Sequence, residues 1–270
     1  LAMMDKVYEE NKHQIYMRET RKFGKFEQNI QDWLKSIKNP HMRKEAKKMM
    51  NETVCISFKT FEENICNSSG LLIEEIGKRQ KNNTLEYINI LICGASNKSN
   101  TWTSLLFYRH LQQRLHQLAK QGKKIAIVSP WTSNLSNSLN ISKYVWSIAH
   151  PHTMNIVFDD VSYSGGQLNV FLEAIAQGST KLKPTFYLGV AYTGQLARKC
   201  LNKDYNRYKI KICCPTRPVP YMRLKYDFGL TSQHKFVTLI ALAYKIADNE
   251  SVAQSSWLYG VIGDSLKTLE

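Results

Sequence analysis

Ile156-Val157-Phe158-Asp159-Asp160-Val161-Ser162-Tyr163-Ser164-Gly165-Gly166-Gln167 is the stretch that decides the fold class. An apolar run, Met154–Phe158, reads as a buried strand and ends in two adjacent acids. Three residues later Ser164-Gly165-Gly166 opens a helical pattern over Gln167–Gln177. The same alternation continues in both directions. Upstream lie a strand at Leu85–Cys93, a polar loop at Gly94–Thr103, a helix over Ser104–Lys120 and a strand at Lys124–Val128. A Ser/Asn-rich stretch, Ser129–Ser142, and a helix through Trp146 lead into Met154. Downstream follow a strand at Thr185–Ala191, a helix at Gln195–Leu201 and a strand at Tyr208–Cys214. Strands alternating with helices through short loops predict a parallel sheet covered on both faces, an α/β, Rossmann-like core over residues 84–215.

Residues 1–83 read differently, as a charged helical segment. Ile15, Trp33, Leu34 and Ile37 recur loosely at helical spacing, with a break at Lys38-Asn39-Pro40. Residues 52–80 predict a further helix or two, with Asn67-Ser68-Ser69-Gly70 as a turn. Residues 216–270 form a C-terminal extension that completes the core or covers the site. Pro215, just before it, and its Pro218 and Pro220 interrupt the chain, and periodicity leaves Phe236–Ala247 open between strand and helix.

The 270 residues are 43% hydrophobic, enough apolar surface for a core and enough to exclude wholesale disorder. No collagen period, heptad array or longer repeat appears. A formal net charge of +15 favours anionic partners. The longest apolar run, Phe236–Tyr244, falls short of the roughly 20 residues that cross a bilayer. Leu1–Lys6 carries no apolar signal core. Cys55, Cys66, Cys93, Cys200, Cys213 and Cys214 include no C-x-x-C pair and read as buried, reduced thiols. A cytoplasmic protein is expected on these grounds. A secreted effector lacking an apolar leader would look the same.

In a parallel sheet, ligands collect beyond the carboxyl ends of the strands. There the small residues of Ser164-Gly165-Gly166 let backbone N–H groups turn inward, and the following helix adds its positive end. That is a phosphate cradle. Asp159 and Asp160 would repel phosphate at contact distance, so they suit sugar hydroxyls or a divalent metal.

The combination resembles the phosphoribosyl-pyrophosphate motif of the type I phosphoribosyltransferases: an apolar strand, two acids, a short variable segment and a Ser/Thr-Gly-Gly loop. The resemblance implies that Asp159 and Asp160 bind the ribose 2′- and 3′-hydroxyls and steady positive charge developing on the ribose. It implies that Ser162, Tyr163, Ser164, Gly165, Gly166 and Gln167 hold the 5′-phosphate. It also implies Mg²⁺ on the pyrophosphate, touched by the two acids only through the ligand, and a pairing into homodimers. Gly94-Ala95-Ser96-Asn97-Lys98 occupies the place of the family's pyrophosphate loop, with Ser96, Asn97 and Lys98 as its polar contacts. Three departures stand out. Gln167 replaces the usual threonine. Tyr163 stands where the purine-salvage branch has an aspartate base, and a phenol titrates near 10, which disfavours hypoxanthine or guanine salvage. Ser129–Ser142, in the place of the mobile hood, contains no Lys or Arg.

Bland readings compete with each motif. Acids before a Gly-Gly turn also favour the helix dipole. His150-Pro151-His152 has the form of a metal pair but reads better as a solvated or capping pair. The stretch Gln195–Tyr226 interleaves Arg198, Lys199, Lys209 and Lys211 with Tyr205, Tyr208, Tyr221 and Tyr226. It suits single-stranded nucleic acid, or else is a solvated edge. The sequence therefore predicts transfer of a phosphoribosyl group from phosphoribosyl pyrophosphate, with Mg²⁺, to a nitrogen acceptor. Its alternative is a non-catalytic nucleotide- or nucleic-acid-binding module on the same fold.

Overall fold

A computed structural model describes residues 1–16, 31–52, 56–92, 99–128, 148–162, 166–176, 183–201 and 208–217. The chain divides into two compact units, one of Leu1–Thr20 with Ile56–Tyr221 and one of Arg21–Cys55 with Met222–Glu270.

The first unit is an α/β layer structure. In chain order it holds α1 (Ala2–Tyr16) and, after the second unit's α2 (Pro40–Glu52), α3 (Phe58–Lys81) and β1 (Tyr87–Leu91). Then follow α4 (Ser99–Lys120), β2 (Lys124–Val128), β3 (Thr153–Ser162), α5 (Gly166–Ala176), β4 (Thr185–Thr193), α6 (Gln195–Leu201) and β5 (Lys209–Cys213). The five strands form one sheet in the order β2-β1-β3-β4-β5, every pairing parallel. Chain direction across the sheet therefore reverses between β1 and β3, which makes that boundary the topological switch point.

Strand alternation sorts the core into two layers. Met154, Ile156 and Phe158 of β3 pack beneath α1, α3 and α4 with Ile65, Leu72, Phe107 and Leu111. Val157 of β3 and Phe186, Leu188 and Val190 of β4 pack on the other face with Leu168 and Leu172 of α5 and Ala197 of α6. Gly189 of β4 lets the first layer close. A Cβ built there would meet Leu72 Cδ1 and Phe107 Cε1 at 3.0 Å and Phe158 Cδ1 at 3.1 Å.

Several elements depart from their sequence reading. Residues 67–70 are not a turn: α3 runs through them unbroken, because its small residues face the sheet. Fully buried Ser68 donates its hydroxyl to the Cys213 carbonyl and accepts from the Val190 amide at 3.2 Å, where the β4–β5 ladder ends. Ser69 bonds back to the Ile65 carbonyl at 2.9 Å. Helix α4 begins at Ser99, five residues before the expected Ser104, since Trp102 packs on Phe61 with ring centroids 5.7 Å apart. Strand β3 continues past Phe158 to Ser162, and β4 past Ala191 to Thr193, each held by the other's ladder. The expectation of uniformly buried cysteines fails at Cys66, which is exposed. It lies one residue beyond buried Ile65 and so turns off the helix's apolar stripe. Cys213 packs in the first layer and Cys214 against the second, one thiol on each face as the sequence predicts. Among the described residues no helix is long and apolar enough to cross a membrane.

Candidate functional site at the carboxyl end of β3

The last β1–β3 pair is Leu91↔Val157, whereas β3 keeps pairing with β4 through Asp159↔Val190, Val161↔Tyr192 and Ser162↔Thr193. Among the described residues the β1–β3 ladder thus stops at the switch point before Asp159 and Asp160. The sequence places both acids directly after a strand ending at Phe158; the structure carries the strand on through both of them, which fixes their backbone. The end is anchored again where the Gly194 amide donates to the Ser162 carbonyl at 2.8 Å. Helix α5 starts at Gly166, four residues beyond Ser162, and has no acid in its first turn to offset its positive end.

Burial first, the like charge of Asp160 second, and a hydrogen bond with the Asp160 side chain third hold Asp159 well above the ordinary carboxylate range. The backbone amide of Asp160, donating to Asp159 Oδ1 at 3.0 Å, opposes this without overcoming it. Burial therefore favours the protonated form of Asp159, and a protonated carboxyl offers one donor beside its acceptors. Together the two acids suit two adjacent hydroxyls better than they suit a bare cation.

Of the residues singled out in the sequence, Asp159, Asp160 and Ser162 come together on β3, with Gly166 and Gln167 opening α5. Ser162 is buried. Tyr163, Ser164, Gly165, Ser96, Asn97, Lys98 and the stretch Ser129–Ser142 lie outside the described residues. Among the described residues no group of three or more His, Cys, Asp or Glu is gathered to hold a metal. His150 and His152 lie at the opposite, amino end of β3. There His152 Nδ1 meets Glu86 Oε1 at 2.9 Å and the two imidazole rings meet edge to face, a structural pair.

Tyr192, at this end of the sheet, escaped the sequence reading. Opposite Val161, it receives a hydrogen bond from Asn64 Nδ2 at 2.5 Å on its phenolic oxygen and stacks on Phe61. No local spacing signals it, because its partners come from a distant helix. Arg198, which the sequence counted only in a basic stretch, donates to Thr193 Oγ1 at 2.9 Å and to the Thr216 carbonyl at 3.0 Å, tying the ends of β4 and β5 together.

The same contacts weaken the nucleic-acid reading of Gln195–Tyr226. Tyr208 is fully buried, edge-on to Phe186 at 5.9 Å, and has no face for a base. Arg198 is occupied as described, and Lys211 Nζ is paired with Glu75 Oε2 at 2.6 Å. Tyr205, Tyr221 and Tyr226 lie outside the described residues.

Comparison of the chain with family models, with curated proteins and with solved structures finds no match.

Proposed function

We propose that the carboxyl end of β3 binds the phosphoribosyl group of phosphoribosyl pyrophosphate and that the protein transfers it to a nitrogen acceptor. The observation that carries the reading is the pair of adjacent acids, Asp159 and Asp160, at the carboxyl end of β3 beside the switch point, with a helix starting at Gly166, four residues beyond the strand's last residue. Adjacent ribose hydroxyls each donate and accept, and a carboxyl whose burial favours its protonated form offers both functions. The N-terminus of α5 and the Ser164-Gly165-Gly166 turn supply amides for a 5′-phosphate.

In the transfer step, positive charge grows on the ribose as the bond to pyrophosphate lengthens. Asp160 would then stabilise that charge through the hydroxyls it holds. The donor set fits an ion carried mainly by the substrate, so magnesium enters as part of the magnesium–pyrophosphate leaving group. It would reach the acids only through that ligand.

Pyrophosphate release from phosphoribosyl pyrophosphate and Mg²⁺, with nucleobases and ammonia as acceptors, tests the reading. Acceptor-dependent release that Asp160→Asn abolishes supports it. Full turnover in Asp160→Asn removes the acid from the reaction. A second reading, a nucleotide binder without turnover, is favoured by Gln167 at the usual threonine position and by a Ser129–Ser142 stretch that lacks Lys and Arg. Binding without release on any acceptor would select it.

A further inference from the structure

The described part of the second unit, residues 31–52, is two helical segments meeting at a corner. Residues 31–36 are helical, and α2 restarts at Pro40, whose fixed φ and missing N–H suit a first helical position. Asn39 caps α2, its Oδ1 accepting the amides of His41 at 3.0 Å and Met42 at 3.2 Å. Arg43 closes the corner by donating Nε and Nη2 to the Ile37 carbonyl at 2.9 and 2.7 Å. Its guanidinium is thus a structural clamp.

This corner fixes two opposite surfaces. Trp33, Leu34, Ile37 and Ala46 are buried. Lys35, Lys38, His41, Lys44 and Lys47 are exposed. Lys44 and Lys47 lie three apart on one helix face. Among the described side chains of this segment the one acid, exposed Asp32, sits 3.7 Å from Lys35.

The character of the surface selects among polyanions. Helices that settle on anionic bilayers insert an apolar face, and here the corner's Trp33, Leu34 and Ile37 are already buried. Single-strand binding leans on aromatic stacking, and Trp33 is again turned inward. What remains outward is a row of ammonium groups, flexible point charges suited to phosphate. We propose that the basic face of residues 31–52 binds the phosphodiester backbone of duplex nucleic acid without reading its sequence. This site is separate from the β3 acids and stands whether or not phosphoribosyl transfer does.

Fluorescence anisotropy of the full chain with a labelled, mixed-sequence DNA duplex of about 20 base pairs, at about 50 to 200 mM salt, tests it. Lys44→Glu/Lys47→Glu should weaken binding about tenfold or more at the low-salt end. Lys44→Ala/Lys47→Ala should lower the log–log salt slope by about 0.9 for each phosphate no longer neutralised. Lys199→Glu/Lys209→Glu, at exposed positions of the other unit, should bind as the parent does. Circular dichroism of each variant should match the parent. The proposal is overturned by absence of duplex binding at low salt, or by full affinity in the Lys44/Lys47 pairs. It is overturned equally by a loss in Lys199→Glu/Lys209→Glu as large as theirs. Lysine-dependent binding to phosphatidylserine vesicles but not to the duplex would also overturn it.

Discussion

The two ends of the one sheet are built to opposite standards. At the amino end two side chains, Arg79 and Asn155, each make more than one hydrogen bond. Arg79 Nη1 donates to the Thr153 and Thr84 carbonyls at 2.9 and 3.3 Å, and Asn89 Nδ2 donates to Asn155 Oδ1 at 2.9 Å within the β1–β3 register. Asn155 in turn donates to the Ile148 and Thr185 carbonyls at 2.9 and 3.2 Å. Carboxylates away from the site are treated alike. Burial pushes Glu75 upward, but hydrogen bonds from Lys211 and Lys78 prevail and hold it below its ordinary range. At the carboxyl end of β3, burial and a like charge meet at Asp159 and push it the other way. Among the described residues no cation is paired with Asp159 or Asp160, and a buried acid set against a like charge marks a candidate binding site.

Substitutions that act on one end and spare the other sharpen this contrast. The largest effect is expected at Asp160→Asn, which should lower phosphoribosyl transfer about 10²–10³-fold while leaving the thermal midpoint at or above that of the parent. Steady-state pyrophosphate release alongside a melting curve checks both halves. Gly189→Ala acts on packing alone. With Leu72, Phe107 and Phe158 crowding the new methyl group, it should cost about 1–3 kcal/mol in urea unfolding. An unchanged midpoint would show that α3 and α4 do not need that close approach. Asn155→Ala should destabilise by about 1–2 kcal/mol and leave ligand binding intact, since its partners all lie at the amino end.

The smallest effects concern pH, and they have opposite signs. Asp159, with its folded pKa raised, favours the fold below its unfolded value near 3.8, an advantage lost as pH rises through the folded value. Asp159→Asn should flatten that decline in a stability-versus-pH series. Asp5 is also pushed up by burial, but hydrogen bonds from Tyr108, His116 and Gln112 outweigh this and lower its pKa. Its contribution is present above about 3.8 and lost as pH falls through the lower folded value. Asp5→Asn should therefore remove acid sensitivity where Asp159→Asn removes alkaline sensitivity. Identical pH profiles for the two variants would dissolve the contrast between these environments.

How far the sequence carried depended on whether a feature was local. Strand Lys124–Val128 and helix Gln195–Leu201 match their reading residue for residue, because apolar runs and helical spacing are local signals. Ser68-Ser69-Gly70 looked like a turn because small polar residues usually mark one; here they let α3 approach the sheet, and Ser68 serves β4 and β5 at once. Polar Ser99–Thr101 hid the first turn of α4, whose placement depends on Trp102 meeting Phe61 across the core. At the site, the two acids were legible as a pair before a Gly-Gly turn. Their strand backbone, the raised pKa of Asp159 and the Tyr192–Asn64 contact were not, since each depends on β4, α3 or the depth of burial.

The claim that the β3 acids hold a phosphoribosyl ligand is tested most directly by calorimetric titration of the parent and of Asp159→Asn/Asp160→Asn with phosphoribosyl pyrophosphate and Mg²⁺. Binding at about micromolar affinity in the parent, absent from a double variant that retains its circular dichroism, is the predicted result. No heat of binding in the parent at about millimolar ligand would contradict it.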